Sequence, residues 1–180
     1  MSALVVYESM FGSTRDVAQA VARGLATSVP VRVVEVGALL AEPGGTGVPE
    51  EVTLLVVGGP THAFGMSRSS TRATAAREAG TGGAPALVST GPGLREWLAA
   101  VRMPSHGLMV ATFDTRVRRP ALPGSAARAA ERALRHHRAV PAAPPRSFWV
   151  LGTTEGLAEG ELEAAEAWGR ELATLLPAEG

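Results

Sequence analysis

The stretch LVVYESMFGSTRD, residues 4–16, decides how this chain folds. Its apolar first half is typical of a buried β-strand, and its glycine- and hydroxyl-containing second half is typical of a loop. Apolar residues then recur at four-residue intervals, at Val17, Val21 and Leu25, and predict an amphipathic helix. The stretch therefore predicts a strand, a loop and a helix in direct succession.

The loop after this first strand has the chemistry of an anion site. Ser13 and Asp16 have the spacing of a capping box, which places the loop at a helix N-terminus. Unpaired N–H groups and the positive end of the helix dipole face outward there. Ser9 and Thr14, with Ser13, add hydroxyl donors, and Gly12 lets the backbone approach a phosphate ester. A plain strand-to-helix turn built from ordinary capping residues is the alternative.

Length and charge favour one ordinary domain. The chain has 180 residues, zero net charge and 46% hydrophobic residues, so we expect a single domain over residues 1–180. Nothing in this composition suggests a nucleic-acid partner or an acidic disordered tail. The apolar runs are far shorter than a membrane span and no leader-like segment is recognised, so we expect a cytoplasmic protein without a membrane span.

Two missing residue types exclude several classes of chemistry. All 17 basic residues are arginine, and the absence of lysine excludes a phosphate-loop nucleotidase and Schiff-base catalysis. The chain has no cysteine, which excludes disulfides, iron–sulfur ligation and thiol redox chemistry. Adjacent His136 and His137 face different sides of a helix, so no metal site is expected. Any redox chemistry therefore needs an organic cofactor.

Further strands and helices are predicted in alternation along the chain. Runs of β-branched or apolar residues predict strands at residues 31–36, 52–57, 108–113 and 147–151. Helical patterns occupy residues 69–79, 94–102, 125–137 and 161–176. We interpret the glycine-rich segment 58–68 and the segment 114–120 as loops that follow the third and fourth strands.

This alternation predicts an α/β protein with a doubly wound parallel sheet and helices on both faces. Ligands of such sheets bind beyond the carboxyl ends of the strands, at the point where the strand order reverses. In the strand order 2-1-3-4-5, the loops after strands one, three and four are neighbours around that crevice. The three loops therefore predict one shared site.

The first loop resembles the phosphate loop of the flavodoxin family, and the resemblance extends over nearly the whole chain. Ser9, Gly12 and Thr14 match that loop, whereas Met10 and Phe11 occupy positions where the family usually has threonine. The resemblance implies a flavodoxin-like, five-stranded doubly wound sheet in the order 2-1-3-4-5. It also implies FMN as the cofactor.

The same resemblance assigns FMN contacts to all three loops. Residues 7–14, 59–71 and 113–116 are most similar to small flavodoxin-like domain proteins of high-GC bacteria. The implied contacts are Ser9, Met10, Phe11, Gly12, Ser13 and Thr14 in the first loop, Pro60, Thr61, His62, Ala63, Phe64 and Gly65 in the second, and Thr112, Phe113, Asp114, Thr115 and Arg116 in the third.

The implied function is that of an FMN-dependent redox protein. It is either an electron carrier for a redox partner protein or a small reductase of a quinone-like acceptor. The loss of two threonine hydroxyls implies weaker phosphate binding, and zero net charge departs from the acidic surface of the family's carriers. The rival hypothesis is a flavodoxin-fold binding or regulatory module that has lost FMN because Met10 and Phe11 fill the phosphate site.

Polar residues near the predicted site have two interpretations each. His62 is a candidate for flavin stacking or general acid catalysis, or it bonds only its own loop. Asp114 either meets the polar edge of a flavin or belongs to an ordinary turn. Arg116, Arg118 and Arg119 either neutralise a reduced flavin, dock an acidic partner or nicotinamide phosphate, or form a solvated face.

Overall fold

A parallel β-sheet forms the middle layer of the molecule. The computed structural model describes residues 1–62, 65–79, 86–118 and 124–177. The strands in these ranges are β1 (Ser2–Tyr7), β2 (Val31–Glu35), β3 (Val52–Pro60), β4 (Met109–Val117), β5 (Val140–Pro141) and β6 (Arg146–Val150). The helices are α1 (Ser13–Leu25), α2 (Val36–Ala41), α3 (Ser69–Glu78), α4 (Leu94–Ala100), α5 (Ala126–His136) and α6 (Glu161–Thr174).

The strand pairing confirms the predicted doubly wound topology. β1 pairs with β2 on one side and with β3 on the other, and β3 pairs with β4, all in parallel. The fifth position is divided between two segments, because β5 pairs with the beginning of β4 and β6 pairs with its end. Pro144 and Pro145 lie between these segments and lack the N–H group that a sheet requires. The order is therefore 2-1-3-4-5, with the last strand interrupted.

Helices pack on both faces of the sheet. On one face, α1 and α6 enclose a cluster of rings in which Phe113 meets Phe148 and Trp168 at centroid distances of 6.0 and 6.3 Å. On the other face, α4 and α5 cover a core that contains the fully buried Trp97, whose indole N–H donates to the Gly45 carbonyl. Among the helices of the described ranges, none is long and apolar enough to cross a membrane.

The prediction that β3 ends before Gly58 is wrong. β3 continues through Gly58 and Gly59 to Pro60, and Gly58 pairs in register with Phe113. A Cβ atom at Gly58 would lie 2.0 Å from Cζ of the Phe113 ring, so the glycine makes room for the ring. β4 likewise runs beyond the predicted limit and includes residues 114–117. The glycines are needed for sheet packing, and they do not end the strand.

The predicted capping box at the start of α1 is also wrong. The N-cap residue is Gly12, in the left-handed region with φ 101°, and it supplies no side-chain cap. Ser13 is already the first helical residue, and the Asp16 carboxylate pairs with the side chain of Arg15. The helix begins beside the loop as predicted, but its first N–H groups remain without a side-chain cap.

Two glycines allow α1 and α6 to approach closely. A Cβ atom at Gly24 would lie 2.1 Å from the Glu166 carbonyl oxygen, and one at Gly169 would lie 2.2 Å from the Val21 carbonyl oxygen. Neither glycine leaves room for a methyl group against the facing backbone. The contact between these helices therefore depends on glycine at both positions.

We predict that Gly24→Ala destabilises the protein. Alanine favours a helix over glycine by about 1 kcal/mol, but overpacking against backbone commonly costs about 1 to 3 kcal/mol, and this backbone belongs to a second helix. Urea unfolding should give a lower free energy of unfolding for Gly24→Ala than for the wild type. Gly107→Ala is the matched control, because a Cβ atom there meets nothing within 4 Å. Equal stability of Gly24→Ala and the wild type would contradict the close contact.

Candidate functional site

A pocket lies at the carboxyl ends of β1, β3 and β4, where the three predicted loops meet. Its volume is about 240 Å³. The residues that line it are Ser9, Met10, Phe11, Ser13, Thr14, Pro60, Thr61, His62, Thr115, Arg116, Val117, Val150, Gly152 and Thr153. The structure thus brings together residues from all three predicted loops. Sequence reasoning missed the contribution of Val150, Gly152 and Thr153, which follow from the pairing of β6 with the end of β4.

The first loop presents a group of unpaired backbone donors. Five N–H groups have no hydrogen-bond acceptor among the described residues, those of Met10, Phe11, Ser13, Thr14 and Arg15. They lie at the N-terminus of a 13-residue helix, where the helix dipole adds positive potential. Such an arrangement binds anions, and phosphate groups in particular.

The backbone of this loop is fixed by a segment that sequence reasoning missed. The N–H groups of Val88 and Ser89 donate to the carbonyls of Met10 and Ser9, at 2.9 and 2.8 Å. The Ser89 hydroxyl accepts from the Ser9 N–H and donates to the Glu35 carboxylate. The carbonyls of Ser9 and Met10 are therefore occupied, while several N–H groups of the loop have no acceptor among the described residues. No sequence motif marks residues 88 and 89.

A buried hydroxyl pair joins the first loop to the third. The side-chain oxygens of Thr14 and Thr115 lie 2.7 Å apart, and both residues line the pocket. One hydroxyl donates to the other, so one of the two hydroxyl hydrogens remains available to a ligand. The pair holds the start of α1 against the end of β4.

Asp114 lies beneath the pocket wall as a fully buried carboxylate. Its Oδ2 atom accepts from the Thr61 hydroxyl at 2.9 Å, from the Ser125 hydroxyl at 2.6 Å and from the Ala127 N–H at 3.2 Å. It therefore binds the second loop and the first turn of α5 to β4. In the described part of the chain, its Oδ1 atom has no partner.

Five of the predicted cofactor contacts that the structure describes do not line this pocket, namely Gly12, Gly65, Thr112, Phe113 and Asp114. Thr112, Phe113 and Asp114 are buried in β4 and do not line the pocket. Phe113 points to the α1 and α6 face, where it joins the ring cluster, and Asp114 points to α5. Asp114 acts on the pocket through its bond to Thr61. It lies in a strand because β4 continues past the point where the sequence suggested a loop.

A second buried carboxylate, Glu8, lies immediately before the first loop and was missed by sequence reasoning. It is 1% exposed and accepts from the Leu94 N–H at 2.9 Å, at the start of α4. It also accepts from the Ser67 hydroxyl, and Arg72 lies 4.0 Å away. Glu8 thus ties the second loop, α3 and α4 to the end of β1. A lone glutamate after an apolar run gives no signal of this role.

His62 closes a short turn of the second loop. Its backbone N–H donates to Gly65 O and its carbonyl accepts from Gly65 N–H, both at 2.9 Å. Its Nε2 atom is buried and has no partner among the described residues. Burial lowers the pKa of His62, against the opposing effect of Glu8. The neighbouring Ala63 and Phe64, also predicted to contact FMN, lie outside the described residues.

Comparison with known proteins identifies the fold. No protein-family model and no curated protein matches the sequence. Solved structures do match. A flavodoxin from the domain Archaea has a TM-score of 0.62 at 18% identity, with 97% of each chain covered. Oxidised flavodoxin 1 from Bacillus cereus has a TM-score of 0.66 at 14% identity, covering 98% of this chain and all of the other.

A flavodiiron protein shares the same architecture in part of its length. The flavodiiron core Flv1 from Synechocystis sp. PCC6803 has a TM-score of 0.62 at 17% identity and covers 97% of this chain, but this chain covers only 35% of that one. The chain therefore has the flavodoxin-like fold, as the resemblance implied. At these identities the likeness shows the fold alone.

We predict that His62 makes stability depend on pH. Because the pKa of His62 is lowered from 6.5, the unfolded chain takes up the proton at a higher pH than the folded chain. The contribution of the neutral imidazole is complete above the unfolded pKa and is lost as pH falls through 6.5 toward the lowered pKa. The free energy of unfolding should therefore fall more steeply over this window in the wild type than in His62→Gln.

Urea unfolding of both proteins between about pH 7.5 and about pH 5 measures the difference. His106 has a raised pKa because it bonds the carbonyls of Gly107 and Glu50, and so it acts in the opposite direction. It is present in both proteins, so its effect cancels in the comparison. Parallel pH profiles would show that His62 is not held in a desolvated position.

Proposed function

We propose that this chain binds FMN in the pocket between the three loops and serves as a redox protein. The observation that carries the proposal is the group of five unpaired N–H groups at the start of α1. A phosphate monoester is an anion of suitable size for such a group. FMN, when bound, supplies the capacity to accept and release one or two electrons, which the side chains of this protein lack.

The residues of the pocket fit the two ends of this cofactor. The first loop would hold the phosphate, with Ser9, Ser13 and the Thr14–Thr115 pair as additional hydroxyl donors. Pro60, Val117 and Val150 of the pocket lining would offer apolar surface to the flavin ring. The presence of a pocket lined by Met10 and Phe11 supports this proposal over the rival in which the two side chains fill the phosphate site.

Other pocket residues would set the environment of the ring. Arg116 places a permanent positive charge in the pocket lining and favours electron-rich states of a bound flavin. His62 is neutral near pH 7 because its pKa is lowered, so it can donate or accept a hydrogen bond without carrying charge. Thr61 is held in position by Asp114.

Within this function, we propose a small reductase of a quinone-like acceptor in preference to a carrier. The net charge is zero, and arginines lie beside the pocket. A carrier that docks through an acidic surface needs the opposite charge distribution. Steady-state reduction of a small quinone by the flavin-loaded protein, with a reduced nicotinamide nucleotide added as the two-electron donor, tests this choice.

The colour of the purified protein tests the proposal against the rival binding module. Flavin absorption bands, or their appearance on titration with FMN, support the proposal. A colourless protein that FMN does not turn yellow would favour a module that has lost the cofactor. Calorimetry should also show tighter binding of FMN than of riboflavin, since riboflavin lacks the phosphate that the first loop would hold.

We predict that Ser13→Glu selectively weakens FMN binding. Glutamate at the first helical position suits the helix dipole, so the apoprotein should keep or gain stability. The added negative charge would repel the phosphate, and we expect FMN affinity to fall at least about tenfold while riboflavin affinity stays unchanged. Calorimetry with both flavins measures this.

Ser13→Gln is the matched control, because it has nearly the same size without the charge. It should lose much less FMN affinity than Ser13→Glu. Equal losses in the two variants, or equal losses for FMN and riboflavin, would contradict a phosphate site in the first loop.

A further inference from the structure

A second pocket lies beside the first, on the α5 side of β4, and it is lined mainly by arginine. Its volume is about 370 Å³. The side chains that matter here are those of Arg116, Arg128, Arg132, Ser125 and Ser147, and we name this site the arginine pocket. Arg116 lines both pockets, so the two are adjacent.

The fold makes these three arginines converge. Arg128 and Arg132 are four residues apart on α5 and therefore lie on one side of that helix. Arg116 lies two residues after Asp114 on β4, so it points to the same face of the sheet, toward α5. Its Nη1 atom donates to the Gly124 carbonyl at 2.9 Å, which orients the guanidinium toward the start of α5.

The acids near this pocket do not neutralise all of its arginines. Arg128 and Arg132 make no salt bridge with any acid of the described residues. Glu131, which lies between them in sequence, pairs with Arg135. The segment 119–123 contains no aspartate or glutamate. The buried Asp114 carboxylate bonds Ser125 of the pocket lining and offsets part of the positive charge. Because Arg128 and Arg132 remain without an acidic partner among the described residues, the net charge of the site is positive.

The backbone at the start of α5 cannot be the anion donor. The Ala126 N–H donates to the Thr61 hydroxyl, the Ala127 N–H to Asp114 and the Arg128 N–H to the Ser125 hydroxyl. The first three N–H groups of the helix are thus already satisfied. Binding at this site has to come from the guanidinium groups.

We infer that the arginine pocket binds a phosphate group of a small molecule. Guanidinium groups match phosphate oxygens with paired donors, and three of them suit a group with two or more negative charges. The site is concave, which favours a small ligand over the flat acidic surface of a protein. Because Arg116 lines both pockets, the bound molecule would lie next to the cofactor, and this last step rests on the proposed function.

Pyrophosphate is the probe that tests this inference. Calorimetry at low salt, with Ser13→Glu present in every chain so that the first loop repels anions, should show saturable binding with one site per chain. The double variant Arg128→Gln/Arg132→Gln should bind about a hundredfold more weakly, since each lost contact is worth about tenfold in affinity. The control Arg77→Gln/Arg102→Gln removes the same charge from two exposed arginines outside both pockets and should bind as the Ser13→Glu chain does.

Other outcomes overturn the inference. Absence of pyrophosphate binding to the Ser13→Glu chain at millimolar concentration would leave the arginines as a solvated face or as a surface for an acidic protein. Equal weakening in both double variants would show general attraction by net charge. Displacement of pyrophosphate by FMN would place the probe in the first loop.

The same measurements separate this inference from the proposed function. Ser13→Glu should keep pyrophosphate binding, and Arg128→Gln/Arg132→Gln should keep FMN binding. If the chain binds pyrophosphate but not FMN, the result supports the arginine pocket and contradicts the proposed function. In the FMN-loaded wild type, pyrophosphate should shift the flavin absorption bands, and an unchanged spectrum during saturable binding would refute contact between the two ligands.

Discussion

The alternation of side chains along the end of β4 is the constraint on which both pockets depend. Successive residues of a strand point to opposite faces, so Asp114 and Thr115 reach different helices. Thr115 bonds Thr14 at the start of α1, and Asp114 bonds the Ala127 N–H in the first turn of α5. One dipeptide therefore positions the first loop on one face of the sheet and α5 on the other. A shift of one residue in the register of β4 would exchange these partners and dismantle both sites.

Burial of the Asp114 carboxylate is energetically acceptable only because of its donors. An unpaired buried charge costs several kcal/mol or more, and hydrogen bonds to a charged group are worth roughly 1.5 to 3 kcal/mol each. Three donors converge on Oδ2, and the N-terminal end of α5 adds favourable potential. The same bonds immobilise Thr61 and Ser125, one in each pocket lining. The carboxylate thus stabilises the rim of the site from outside both pocket linings.

Much of the fold was predictable from the sequence because its signals are local. Continuous apolar runs marked β1, β3 and β4, and the resemblance of the first loop to the flavodoxin phosphate loop implied the order 2-1-3-4-5. The wrong predictions concern glycines whose role depends on a contact distant in the sequence or on their own backbone conformation. Gly58 was predicted to lie in a loop, but it lies in β3 and makes room for the ring of Phe113. Gly12 is the N-cap residue of α1 through its left-handed backbone conformation and provides no side-chain cap.

The candidate site was less predictable than the fold, because several of its contacts join residues that are far apart in the sequence. The three loops were located by strand ends, which the sequence displays. Glu8 and Ser89 were missed, because their partners lie 86 and 80 positions away along the chain, at Leu94 and Ser9. No short pattern encodes such contacts, and they become visible only when the sheet brings the strand ends together.

The zero net charge of the whole chain does not describe the local charge at a binding pocket. The sequence has 17 basic and 17 acidic residues, which argues against a strongly charged molecule as a whole. The field at a pocket, however, is set by charges within about 10 Å, the screening length near 0.1 M salt. Arg116, Arg128 and Arg132 share one pocket, and the nearby acids Asp114 and Glu131 offset only part of their charge, because Glu131 also pairs with Arg135. The balanced composition is therefore compatible with a strongly positive site at one edge of the sheet, and anion recognition has to be judged from that local arrangement.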